Sequence, residues 1–195
     1  MTKNHQALLG DLASISTVLI FRDKSPELDE KGNAFVVTVK DLVSSWPKPI
    51  SWLQNIRVDE NQILQALKDG DILMPARGVS YPARYCTISG EVIFPVGQIY
   101  VIRPYERSLG RYLTWYLNRS EIQLQISRQI TGTTVMSLKK TTLASLKIEL
   151  AEPTIAEKIS SIVKLQEEHA LITTQLSLIR KQECDVACEI LFESC

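Results

Sequence analysis

The sequence predicts an α+β protein: a mixed globular domain over about residues 1–150, then one long helix within residues 151–195. Three observations carry this. Short apolar runs such as "NAFVVTV" (33–39), "DILMPA" (71–76), "EVIFPV" (91–96) and "QIYVIRP" (98–104) are broken by Gly or Pro at strand-like intervals. Between and after them lie segments with apolar residues at helical spacing. No Gly or Pro occurs from Thr154 to Cys195, which licenses one helix of roughly forty residues, about 60 Å long at 1.5 Å per residue.

In chain order, "LLGDLASISTVLIF" (8–21) reads as a short helical turn and then a β-rich run. Asp23 to Asn33 is polar, contains Pro26 and Gly32, and reads as an exposed loop. "NAFVVTV" is a buried strand. Trp46-Pro47-Lys48-Pro49-Ile50 is excluded from a helix interior because proline lacks the amide hydrogen. "NQILQAL" (61–67) is a short amphipathic helix, stopped at "KDGD" (68–71), where Gly70 suits a left-handed cap. Four strand-like runs follow, "DILMPA", "ARYCTIS" (83–89), "EVIFPV" and "QIYVIRP". "SLGRYLTWYLN" (108–118) is helical, and Tyr112, Leu113, Tyr116 and Leu117 share a face that reads as core. Ser120 caps a second helix, "EIQLQISRQI" (121–130). A helical patch near 138–144 and a strand "LKIEL" (146–150) close the domain. Thr154 and Glu157 fit a capping box at the start of the long helix.

That helix has a seven-residue register. One series is Ile155, Ile162, His169, Leu176, Glu183 and Ile190; the other is Lys158, Leu165, Ile172, Ile179 and Val186. Together they form a 3-4 seam, apolar except at Lys158, His169 and Glu183. A domain ending near residue 150 is too small to cover so long a stripe, so a second copy or another chain is expected on it.

The 195 residues are 45% apolar and 23% charged, which suits a folded core. The formal net charge of zero is a sum of opposites. Residues 1–70 carry 8 Lys/Arg against 9 Asp/Glu, residues 71–150 carry 10 against 5, and residues 151–195 carry 4 against 8. A basic middle beside an acidic tail leaves room for a polyanion at the middle, since local fields do the steering. No run of eighteen apolar residues is present, and the N-terminus has no signal-peptide pattern, so a cytoplasmic protein without membrane association is expected. Cys86, Cys184, Cys188 and Cys195, with only His5 and His169 as histidines, read as reduced thiols and not as a metal site. No phosphate-binding glycine loop and no nucleophile elbow is present, so no catalytic residue and no cofactor is assigned.

Binding chemistry is concentrated in three places. "QITGTTVMSLKK" (129–140) gathers Thr131, Thr133 and Thr134 around Gly132 and ends on Lys139 and Lys140. Hydroxyls, a glycine that admits close approach, and two ammonium groups suit a phosphate backbone; equally, Gly132 suits a plain helix stop. Arg77, Gly78, Arg84 and Tyr85 form the second candidate, where arginines could reach guanine O6 and N7. The loop 22–33 is the third. Arg103, Arg107 and Arg111 suit either phosphates or solvation of a helix start.

The order of these features resembles the specificity subunits of type I restriction–modification systems. "LKDGDILMPARG" (67–78) is similar to their L-x-x-G-D-I-L segment. Residues 111–150, "RYLTWYLNRSEIQLQISRQITGTTVMSLKKTTLASLKIEL", resemble the helix, glycine loop and closing strand of their target recognition domains. "EPTIAEKISSIV" (152–163) resembles the start of their spacer helix, with Glu157 where a glutamine is usual. The early glycine of the family is also missing from "ISTVLIFRDK". Family members usually carry two recognition domains and two antiparallel spacer helices, whereas this sequence has one of each and resembles a half-subunit.

The resemblance implies a non-catalytic DNA-recognition subunit. Two copies would join through an antiparallel coiled coil formed by Ile155, Ile162, Leu165, His169, Ile172, Leu176, Ile179, Val186 and Ile190. The homodimer would read two inverted half-sites on double-stranded DNA and position a partner methyltransferase subunit, with a restriction subunit as a further partner. The competing expectations are a coiled-coil adaptor, another phage-defence protein that uses the recognition fold without a methyltransferase, and a small enzyme with an unrecognised site.

Overall fold

The computed structural model describes residues 5–17, 26–44, 46–130 and 136–193. The chain runs β1 (His5–Leu8), α1 (Leu9–Leu12), β2 (Ala13–Thr17), β3 (Ala34–Thr38), α2 (Val39–Val43), β4 (Gln54–Ile56), α3 (Glu60–Ile63), β5 (Ile72–Pro75) and β6 (Arg84–Tyr85). It continues through β7 (Ile93–Val96), β8 (Ile99–Pro104), α4 (Gly110–Leu117), α5 (Ser120–Arg128), α6 (Lys140–Ala144), β9 (Lys147–Leu150) and α7 (Pro153–Glu193). This is the mixed α+β architecture with one long terminal helix that the sequence predicts.

The centre is a four-stranded antiparallel sheet, ordered β2-β8-β5-β6. Ile72 lies opposite Ile102, Leu73 opposite Val101 and Met74 opposite Tyr100. Because side chains alternate along a strand, one face of β5 and β8 presents Ile72, Met74, Tyr100 and Ile102 to α4 and α5. The other face presents Leu73, Ile99 and Val101 to Val37, Leu42, Leu67 and Ile93. Burial on both faces explains why "DILMPA" reads as a continuous apolar run with no polar alternation. The second, three-stranded sheet is ordered β4-β3-β7, with β3 antiparallel to β4 and parallel to β7. Its far side holds Ala34, Val36, Ile56, Val58 and Phe94. β1 and β9 pair antiparallel, bringing residues 5–8 against 147–150.

Several elements differ from the sequence reading, each for a local reason. α3 stops at Ile63 instead of reaching residue 67, and the backbone tightens into turns, with Gln65 N–H donating to Gln62 O and Ala66 N–H to Ile63 O. α2 was not foreseen. Thr38 caps it: the Thr38 amide and hydroxyl both donate to Asp41 Oδ2, at 2.8 and 2.6 Å, and the Asp41 amide donates back to Thr38 Oγ1. α7 begins at Pro153, and Glu152 O accepts from the amides of Ile155 and Ala156. Proline suits the first helical position, where its missing N–H is not required. Thr154 therefore lies inside the first turn, and the expected Thr154–Glu157 box does not mark the helix start.

The tight turn before β5 is built around a buried ion pair. Asp71 is 1% exposed and accepts from Arg103 Nε and a terminal Arg103 nitrogen, both at 2.7 Å, and from the Lys68 amide at 2.8 Å. Gly70, with φ of +92°, makes the left-handed step into it. The carboxylate thus ties the start of β5 to the end of β8, and its bond holds the Arg103 guanidinium above the ordinary arginine range.

α7 leans on α4 through one face only. Ala156 is buried there, with Ile159, Ser160, Val163, Glu167, Ala170, Leu171 and Thr174 half-buried along the same side. Arg111 locks the contact: its guanidinium sits 4.0 Å over the Tyr85 ring and donates at 3.0 Å to Glu167 Oε2 and at 3.1 Å to Thr87 Oγ1. Gly110 precedes it because a β-carbon there would stand 2.7 Å from the Tyr85 ring. Beyond Thr174 every described residue of α7 is exposed. Among the described residues, no helix is long and apolar enough to cross a membrane.

Two stability predictions follow from these pairs. Asp71→Ala leaves the Lys68 amide and the partly exposed Arg103 without their acceptor, and urea denaturation will show a loss of about 1.5–3 kcal/mol. Glu167 titrates above its ordinary 4.5, because burial raises it against the lowering effect of Arg111. The folded chain therefore holds that proton more tightly than the unfolded chain, and the Glu167 contribution falls as pH rises from 4.5 through the raised value. Thermal melts across that window will show the stability of wild type, relative to Glu167→Gln, decreasing with rising pH.

Candidate nucleic-acid interface

The end of the central sheet opposite Asp71 lies beside three exposed basic side chains, Arg77, Lys139 and Lys140. β5 ends at Pro75 opposite Ile99, where β8 begins. β2 ends at Thr17, opposite Tyr100, at the same end. The chain then leaves β5 through Ala76, Arg77 and Gly78 and is met by residues 136–138. Leu138 N–H donates to Ala76 O at 3.0 Å, Gly78 N–H donates to Met136 O at 3.1 Å, and Arg77 bridges Ser137. Two buried tyrosines fasten the pairing from beneath: Tyr81 donates to Met136 O at 3.2 Å and Tyr100 to Leu138 O at 2.8 Å. Gly78 has φ of +127°, and a β-carbon there would meet nothing. Its backbone angle, not crowding, requires glycine.

The fold thereby brings together two candidate segments that lie about sixty residues apart in the sequence. Arg77, Lys139 and Lys140 are all exposed beside this pairing. Among the described residues none of the three makes an ion pair or a side-chain hydrogen bond. Thr131, Gly132, Thr133 and Thr134 lie outside the described residues. Their described neighbours are Ile130, packed on the main core, and Met136, at the paired segment.

The remaining arginine candidates are occupied elsewhere. Arg84 does not face solvent as a base reader would. Its Nε donates to Leu42 O at 2.8 Å and a terminal nitrogen donates to Ser44 O at 3.3 Å, which joins β6 to the end of α2. Burial pushes its guanidinium below the ordinary arginine range. Tyr85 is buried beneath Arg111, and burial raises its phenol. Both leave the candidate surface, because β6 is a short edge strand whose side chains turn inward, Arg84 onto the end of α2 and Tyr85 beneath Arg111. Arg103, Arg107 and Arg111 pair with Asp71, Asp69 and Glu167. Their partners satisfy them, so with Arg84 four of the ten Lys/Arg in residues 71–150 serve the fold. The described part of the loop 22–33 carries Glu27, Asp29 and Glu30 against Lys31, and Arg57 holds it through Asp29 and the Lys31 carbonyl.

One group escaped the sequence reading. Val79 is 93% exposed between Gly78 and Ser80, and Met136 is exposed across from it. A bare Val in a Gly-x-Ser turn beside an unpaired arginine is the available signal, since an apolar tip can meet a thymine methyl group. Among the described residues, no cluster of three His, Cys, Asp or Glu side chains could hold a metal ion.

No protein-family description and no curated protein matches the sequence. Solved structures do match. The type I restriction–modification S subunit from M. genitalium superposes with a TM-score of 0.58 at 12% identity, over 93% of this chain and 43% of that one. The HsdS subunit from Thermoanaerobacter tengcongensis gives 0.50 at 17% identity, over 91% and 39%. A chain from a structure of the type I restriction–modification system, described in terms of complex assembly and conformational transition, gives 0.52 at 16% identity, over 95% and 42%. The chain shares its fold with one part of these S subunits. The chain spans about two fifths of the length of the S-subunit chains it matches.

The paired segments at 76–81 and 136–140 carry three exposed basic side chains, Arg77, Lys139 and Lys140, with no ion partner among the described residues. If this surface meets duplex DNA, as proposed below, its variants separate by response. Lys139→Ala and Lys140→Ala will weaken binding to all duplexes alike and each lower the log-log salt slope by about 0.9 in fluorescence anisotropy titrations. Arg77→Ala will cost about 1–3 kcal/mol at one base position only. Arg84→Ala will lower the melting temperature without changing sequence preference. An Arg84→Ala variant that folds normally and loses one base preference would overturn this division of roles.

Proposed function

We propose that this chain is a DNA-recognition subunit of the type I restriction–modification kind, without catalysis of its own. It acts as a cytoplasmic homodimer that reads a bipartite, inverted-repeat site on double-stranded DNA and positions a separate methyltransferase subunit. The observation that carries the reading is the two-sided helix α7. One face holds the recognition domain, and the opposite face carries an exposed apolar stripe. Leu165 lies nine residues beyond Ala156, which is about 180° around the helix at 3.6 residues per turn. Leu165 is 64% exposed where Ala156 is 7% exposed. Ile155, Ile162, Ile172, Leu176, Ile179 and Val186 follow Leu165 on the exposed side, with His169 among them.

The S-subunit fold and the unpaired Arg77, Lys139 and Lys140 support the DNA-reading half of the proposal. A twofold pair presents one reading surface twice in opposite senses, so identical inverted half-sites are its natural target. Methyl transfer, any strand cleavage and any S-adenosylmethionine belong to partner subunits in this reading. The acidic face of α7 offers them a surface distinct from the stripe.

Selection of bound sequences from random duplex DNA, using the purified chain, tests this directly. Two identical inverted half-sites around an unread gap are expected. Two unlike half-sites would sink the homodimer, and no enrichment above background would sink the DNA-reading role and favour a coiled-coil adaptor.

A further inference from the structure

We infer that the polar residues inside the α7 stripe set both the direction and the register of a two-helix pairing, through reciprocal Lys158–Glu183 ion pairs between copies. The inference rests on the homodimer reading and specifies it. Lys158 and Glu183 are exposed and, among the described residues, make no ion pair within their own chain. Each occupies a seam position, where a lone charge faces whatever the partner helix places opposite.

In a parallel pair every seam residue meets its own copy. Lys158 would then face Lys158, Glu183 would face Glu183 and His169 would face His169. Like charges opposed in a seam are destabilising, so this arrangement gains nothing from either residue. An antiparallel pair with its twofold axis between Ala170 and Leu171 behaves differently. Ile155 faces Val186, Ile162 faces Ile179, Leu165 faces Leu176, and His169 faces Ile172. In the same alignment Lys158 faces Glu183, twice by symmetry.

Neighbouring alignments lose this match. A slip of one heptad in one direction sets Lys158 against Ile190 and Glu183 against Leu165. A slip in the other direction sets Lys158 against Leu176 and carries Glu183 past the start of the partner helix. Positions flanking the seam do not oppose the chosen alignment: Ile159 comes near Arg180, Gln166 near Thr173, Ser161 near Gln182 and Glu168 near Gln175, with no like-charged pair among them. The head packs on α7 through Ala156 and Ile159, with Val163, Glu167 and Ala170 half-buried on the same side, and none of these is a seam position.

Register has a direct consequence for DNA. A one-heptad slip moves one head about 10 Å along the other helix at 1.5 Å per residue. That is about three base pairs at 3.4 Å each. A seam of aliphatic residues alone tolerates such a slip; the Lys158–Glu183 pairs penalise it and so define the gap between half-sites.

Charge reversal in the full-length chain tests the inference, with dimer dissociation constants measured by sedimentation equilibrium. Wild type is expected to be a dimer. Lys158→Glu and Glu183→Lys are each expected to weaken it at least about tenfold, and the double variant to return to within about threefold of wild type. Circular dichroism melts confirm that the heads fold in all four proteins. A double variant as weak as the singles would overturn the antiparallel register while leaving the homodimer standing. Four indistinguishable dimers would likewise reject it, because Lys158 and Glu183 would then not meet. A monomeric wild type would reject the inference and the homodimer together, while the DNA selection would still judge the recognition domain separately.

Discussion

The contact of α7 with α4 governs the architecture. Arg111 sits at its centre, stacked on Tyr85 and bonded to Glu167, with Ala156, Val163 and Ala170 closing the helix against the domain. A guanidinium held between an aromatic face and a carboxylate is fixed in direction, and the helix that carries the carboxylate is fixed with it. Because α7 is one continuous helix, anchoring its first half sets the rotation of all of it. The apolar stripe then points away from the head, and the last part of the helix runs clear of the domain. In the homodimer proposed above, the placing of the two heads would follow from that single rotation.

The head itself is organised around the two ends of its central sheet. At one end Asp71, Arg103, Arg107 and Asp69 neutralise one another where the chain turns toward α4 and α7. At the other end no acidic partner is seen for Arg77, Lys139 or Lys140 among the described residues. Paired charges at the first end cost little field outside the protein, whereas unpaired ones at the second project it into solvent. A protein of zero formal charge can in this way present a locally basic surface.

Only part of the basic middle of the sequence stays unpaired at the surface. Ten Lys/Arg in residues 71–150 include Arg84, Arg103, Arg107 and Arg111, all consumed by backbone carbonyls or carboxylates in the fold. Their types and local spacing resemble those of Arg77 and Lys139. What distinguishes them is the partner that lies across the sheet or on the next helix, and that partner can be more than fifty residues distant, as Glu167 is from Arg111.

Read from the sequence alone, the strands of the central sheet, the core face of Tyr112, Leu113, Tyr116 and Leu117, the turn at Gly70 and the uninterrupted terminal helix are all legible. Each depends on periodicity or on the local backbone demands of Gly and Pro, which neighbours in sequence reveal. The heptad stripe was legible for the same reason. Only the tertiary structure decided which face of α7 the domain would take, that Arg84 and Tyr85 belong inside, and that Arg77 and Gly78 lie against residues 136–138. Those outcomes depend on contacts between residues far apart along the chain, where burial and pairing of charges settle the arrangement and no local pattern records it.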